Sequence, residues 1–208
     1  MAQLVIAKNA NGIALAADGK ELDFSITGEI REQKVNHLIQ LGKSAAILAG
    51  GAPDSVAMAE ALKSFIAEEG LSDIKDIYAA ALPLLASEYD RYMRKSCELL
   101  PVDPLRHVYF ILAGYSPSAG ADQFHAYLIW TKKKLPQLDG DEIEVAYSVP
   151  RRITLELKLN KLCKGNASLD ELLAEAKAGL LKLGEQQEEI GPPYQFAAID
   201  AKGVALTS

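Results

Sequence analysis

The residues able to do chemistry in this chain are few, and most are badly spaced for it. His37, His107 and His125 sit in or beside apolar runs, at none of the short intervals that bring imidazoles to one metal ion. They read as core or edge histidines. Cys97 and Cys163 lie far apart, with no Cys-x-x-Cys or Cys/His cluster near either, which argues against a disulfide scaffold and a structural zinc site. Gly42-Lys43-Ser44 imitates the end of a phosphate loop. That motif needs a glycine five residues before Gly42, where His37 stands, and a helix where the strand-like Ser44 to Leu48 follows. Gly50-Gly51-Ala52-Pro53 is a tight turn leading into a helix, with proline at a first-turn position. Gln187 is an amide, and Glu188-Glu189 reads as a solvated helix end. Phe124, Tyr127 and Trp130 read as core and interface packing.

The chain as a whole bounds the possibilities further. Its 208 residues are 49% hydrophobic and 24% charged, the balance of one ordinary globular domain over 1–208. With 28 acidic against 22 basic residues the net charge is −6, which disfavours a nucleic-acid partner. The basic run Lys132-Lys133-Lys134 reads as a solvated edge or turn. No apolar stretch approaches the roughly 20 residues of a membrane span. Met1 to Leu4 has no positive region and no cleavage site, so a cytoplasmic protein is expected, with no membrane, cofactor or metal.

The positioning elements follow from patterning. Leu4 to Ala7 and Ile13 to Ala17 flank Asn11-Gly12, a strong hairpin signal because both residues tolerate positive φ. A second hairpin is expected from Val35 to Ile39 and Ser44 to Leu48. Val56, Ala59, Leu62, Phe65 and Ile66 mark a helix ending near Gly70. Ser72 suits the cap of the next helix, which runs toward Cys97, is kinked at Pro83 and is closed by Pro101 and Pro104. Strands are expected at His107 to Ala113, Phe124 to Thr131 and Ile143 to Tyr147, the last following a turn at Asp139-Gly140. Ser168 and Glu171 form a capping box for a helix ending at Gly184. Phe196 to Asp200 and Val204 to Leu206 close the chain as a hairpin. In Ile153 to Leu162, Ile153, Leu155, Leu157 and Leu159 alternate with polar residues, and periodicity favours a strand. Blocks of antiparallel strands separated by grouped helices point to an α+β layered domain.

A resemblance emerges from these motifs in order. Gly12-Ile13-Ala14-Leu15-Ala16-Ala17-Asp18, Lys34, Leu48-Ala49-Gly50-Gly51, Ile111 to Tyr115 and the final hairpin after Ile190-Gly191-Pro192 resemble proteasome β subunits, the bacterial type above all. The likeness is good to about residue 115 and loose over 130–190. It implies the N-terminal-nucleophile (Ntn) hydrolase fold, a four-layer α-β-β-α sandwich of two antiparallel sheets. It also implies helix over 151–162, which is taken here over the strand reading. In that family the first residue of the mature chain, normally threonine, attacks, and its own amine serves as general base. The resemblance puts the residual site positions at Ala2, Asp18, Lys34 and Gly50, the last as oxyanion glycine.

The nucleophile is missing from this pattern. Residues 1–24 contain no Ser, Thr or Cys, and the threonine's place falls on Ala2, or Met1 if the hairpin is longer. The first hydroxyls are Ser25 and Thr27, beyond the hairpin. Tyr147-Ser148-Val149-Pro150 stands where the family has Gly-Ser-Gly, and Gln187 or a neighbour where it has aspartate. The expectation is a non-proteolytic oligomeric or scaffold homologue, a ring or dimer of this chain, with other proteasome-like subunits as further partners. Two alternatives stand beside it. One is a hydrolase of the same lineage with a non-standard nucleophile; the other is a peptide- or small-molecule-binding module reusing the cleft.

Overall fold

The computed structural model describes residues 2–24, 30–97, 107–120, 122–132 and 137–207. Met1, Ser25, Thr27, Pro101, Pro104, Lys133, Lys134 and the side chain of Cys97 lie outside the described residues. The first hairpin, β1 (Leu4–Asn9) and β2 (Gly12–Ala17), forms about Asn11-Gly12 as patterned. Next come β3 (Lys20–Phe24) and β4 (Ile30–Lys34), then β5 (Leu38–Leu41) and β6 (Ala45–Gly51). Helices α1 (Ser55–Glu69) and α2 (Ile74–Cys97) follow, with Gly70 ending α1 in the left-handed conformation. Strands β7 (Val108–Tyr115), β8 (Phe124–Thr131), β9 (Leu138–Glu142) and β10 (Ala146–Val149) precede α3 (Ile153–Lys164) and α4 (Leu169–Gln186). The chain ends in β11 (Gln195–Asp200) and β12 (Gly203–Thr207).

Strands β2, β6 and β7 are apolar along their whole length because both faces are covered. In β1, Leu4 and Ile6 join the cluster between the two large sheets, while Val5 and Ala7 meet α3 and α4. In β6, Leu48 points between the sheets, and Ile47 faces α1 and α2. The alanines of β2 on its helix side, Ala14 and Ala16, leave room for α4 to lie close. Gly51 turns the chain out of β6 at φ 98°, where a Cβ would fall 2.1 Å from the His107 carbonyl oxygen, so only glycine fits.

The expected four-layer sandwich of two sheets is corrected by the sheet topology. The described residues form three antiparallel sheets, ordered β10-β1-β2-β11-β12, β3-β4 and β5-β6-β7-β8-β9, with four α-helices. The unforeseen sheet is the ribbon β3–β4, which pairs Lys20 with Lys34 and Phe24 with Ile30. Its charged, alternating residues gave no apolar run to announce it, and its two strands pair with each other as a separate sheet. Strand β9 was likewise hidden, because Leu138-Asp139-Gly140-Asp141-Glu142 has the composition of a turn. Strand β10 begins at Ala146, later than the expected 143–147. Asp73, not Ser72, caps α2, since its carboxylate accepts from the Lys75 N–H at 2.9 Å.

Residues 153–164 are helical, against their alternating pattern and in line with the resemblance. The helix buries Leu155, Leu159 and Cys163, spaced by four, and Ser148, Arg151 and Glu156 fix its first turn. Ile153 and Leu157 completed the strand pattern, and they are the two that stay outside, 57% and 64% exposed. We predict that Leu159→Ala costs about 2–5 kcal/mol in urea unfolding of the dissociated chain at high dilution, while Leu157→Ala stays within about 0.5 kcal/mol there. Equal losses would mean that alternate residues share one buried face.

Candidate functional site

Of the four residues marked by the resemblance, three meet and one does not. Ala2 is buried at the start of β1, and a methyl built on Gly50 would lie 3.6 Å from its Cβ. Asp18, just past β2, is fully buried and bound to the neighbouring residue, its Oδ1 accepting from the Gln3 N–H at 2.6 Å. Lys34 lies elsewhere. It ends β4 with its side chain exposed, opposite Lys20 in the ribbon. Lys20 itself pairs with Glu32 at 3.2 Å. Among the described residues no ion pair joins Lys34 to Asp18.

Backbone amides do what a lysine would otherwise do for this carboxylate. Besides Gln3, the Gly191 N–H reaches Oδ2 at 3.3 Å. Burial pushes the Asp18 carboxyl up to about 6, with the Gln3 and Gly191 hydrogen bonds working against that rise. The group thus ties the start of β1, the end of β2 and the segment before β11 into one knot.

Gly50 lies close to Ala2, and its amide is directed into the sheet. Ala49 donates to the His37 carbonyl at 2.9 Å on the β5 side, so strand alternation turns the Gly50 N–H toward β7, where Tyr109 is its partner in register. His37 is also drawn in. Its Nδ1 donates to the Ala49 carbonyl at 2.8 Å, and its buried Nε2 has no partner among the described residues. Burial lowers its basicity, which keeps the ring neutral.

A second polar network borders the first and was not read from the sequence. Gln3 donates to the Pro150 carbonyl at 2.9 Å and accepts from Arg152 Nε at 2.7 Å. Arg152 also donates to the Gln187 side-chain amide oxygen, so Gln187 serves as an acceptor for a cation. Ser148 is spoken for on both sides, donating to Glu156 Oε1 at 2.6 Å and accepting from the Arg152 N–H at 2.7 Å. Glu156 is buried, which alone would raise its pKa, but Arg151 and Ser148 outweigh that and hold it below the usual range. The spacing of Ser148 and Glu156 across a proline gave no signal, because the contact depends on how α3 leaves β10.

The histidine at the other end of the sheets has a structural setting. His125 Nδ1 lies 2.9 Å from Glu142 Oε1, and buried Lys8 lies 3.6 Å from the same oxygen. Asp122, His125 and Glu142 present donor atoms within 4.8 Å of one another, but the Lys8 ammonium already supplies the positive charge there. No helix among the described residues is long and apolar enough to cross a membrane. No protein-family model and no curated protein matches the chain.

The raised Asp18 pKa carries a sign. Its folded value, about 6, lies above the unfolded 3.8, so the folded state holds the extra proton between them and stability falls as pH rises through that window. We predict that the unfolding free energy loses about 2 kcal/mol on this account from pH 4 to pH 6 and levels off above about pH 7. Asp18→Asn should flatten the slope; a mutant with the same slope would place the titrating group elsewhere.

Proposed function

We propose that this chain is a non-proteolytic, proteasome-β-like protein that works by associating with copies of itself. The reading rests on the Asp18 knot. A hydrolase of that lineage needs an attacking hydroxyl or thiol, a lysine beside it and free N–H groups for the oxyanion. Here Ala2 offers a methyl group, Asp18 is satisfied by backbone amides, Lys34 faces water and the Gly50 amide serves the sheet. Residues 2–24 supply no Ser, Thr or Cys that a local rearrangement could bring in.

Association is supported by the outer face of α3. Ile153 and Leu157, one turn apart, place two aliphatic side chains in water beside the ion pair Lys158–Glu175. A two-fold contact between α3 helices would cover them with their own counterparts, as isologous dimers do. The expected result from sedimentation velocity is an oligomer that Leu157→Glu shifts toward monomer without loss of helix signal. A wild-type monomer at tens of micromolar, about the range where a useful scaffold must assemble, would remove this reading. Fluorogenic peptides should be turned over no faster than in buffer; turnover abolished by Asp18→Asn would restore the hydrolase alternative.

A further inference from the structure

A cleft distinct from the Asp18 knot is shaped by one edge strand. Every residue from Asp141 to Arg151 lines it, a run that contains the whole of β10. Tyr109, Leu128 and Trp130 close it from the other large sheet, and Asn160 and Lys164 from α3. Only a groove that follows the strand's outer edge touches so long an unbroken stretch together with elements on both sides of the sheet. Its volume is about 940 Å³.

The walls are apolar where a core would be expected. Tyr109 and Trp130 are cross-strand partners beside Leu128, and all three are only partly buried, as is Tyr147 across from them. Among the described residues, the space between the sheets is therefore open at this corner, with aromatic rings at its mouth. Arg151 lies over the Tyr147 ring at 4.4 Å while bound to Glu156, which holds that ring in place.

The edge itself is half used. The Lys8 N–H bonds to the Val145 carbonyl, so residues 145, 147 and 149 face β1, and Ala146 and Ser148 turn their backbone groups outward. The Ser148 N–H is taken by Glu156 Oε1 at 3.1 Å. Strand β10 is terminal in its sheet, which leaves the Ala146 N–H and C=O directed outward with no strand beyond them among the described residues. Ala146 turns its side chain to the helices and Tyr147 turns its ring between the sheets, so a parallel chain laid here would accept from the Ala146 N–H and donate to its C=O through a residue whose side chain falls on the Tyr147 side.

We propose that this groove binds an extended peptide segment, which pairs in parallel with the outer edge of β10 at Ala146 and places an aromatic side chain between the Tyr109–Trp130 pair and Tyr147. This goes beyond self-association and does not depend on it. Trp130 is the single tryptophan, so its emission reads this cleft alone. Titration of the full chain with acetyl-Val-Phe-Val-amide should give a saturable shift of Trp130 emission. Ala146→Pro removes the outward N–H without touching the bonds to β1, and should weaken binding about tenfold or more. The same peptide methylated on its central backbone nitrogen should fail similarly, which keeps the test decisive if the proline variant does not fold. Absence of saturation up to about 1 mM would overturn the proposal. So would equal binding of the methylated peptide, or binding of p-cresol but not of the peptide.

Discussion

A carboxylate removed from water must be answered by hydrogen bonds or carry a proton, and Asp18 is the group on which this molecule's centre turns. It lies where two strands of one sheet end and where the chain returns from α4 toward β11, and the amides of Gln3 and Gly191 hold it there. Because those donors are backbone, they fix chain positions rather than side-chain rotamers. Gln3 then passes the constraint outward through Arg152 to Gln187 at the end of α4, and through the Pro150 carbonyl to the end of β10. One buried charge thereby sets the relative placement of four segments distant in sequence.

Around this knot the sheets are packed on both sides, and that double burial governs what the surface can offer. Residues of β1 and β6 alternate between the space shared by the large sheets and the helices outside it. Where the alternation meets a partner, the side chains disappear. Where it does not, they stay reachable. The corner beside β10 is one such place, and the outer face of α3 is another. The two differ in kind. The first is a groove with unused backbone along its edge, suited to an extended chain, while the second is a raised pair of aliphatic side chains suited to a flat copy of itself.

Much of the framework is written in local patterns. The Asn11-Gly12 turn, the Gly70 helix end and the Ser168–Glu171 capping box depend on residues within a few positions of one another, and each lies where its residue types place it. Elements whose stability comes from distant partners were not legible. The β3–β4 ribbon and β9 are polar, so no hydrophobic period marks them. In α3 a helix and a strand share the same leucines, and packing against β1 and β10 decides between them. The site divides along the same line. Ala2, Asp18 and Gly50 could be found by motif, but the exposure of Lys34 follows from a ribbon that motif does not describe. Gln3, His37 and Gly191 act through backbone groups or an unpartnered ring nitrogen, which no residue type advertises.

The claim that the Asp18 knot holds a fold together and attacks nothing can be put to one chemical trial. The full chain would be incubated with a peptide vinyl sulfone and a peptide β-lactone, traps for hydroxyl and thiol nucleophiles, and its proteolytic fragments weighed. The account predicts unmodified fragments throughout residues 2–24 and at the strand around Gly50. A covalent adduct within either stretch, lost on Asp18→Asn, would contradict it.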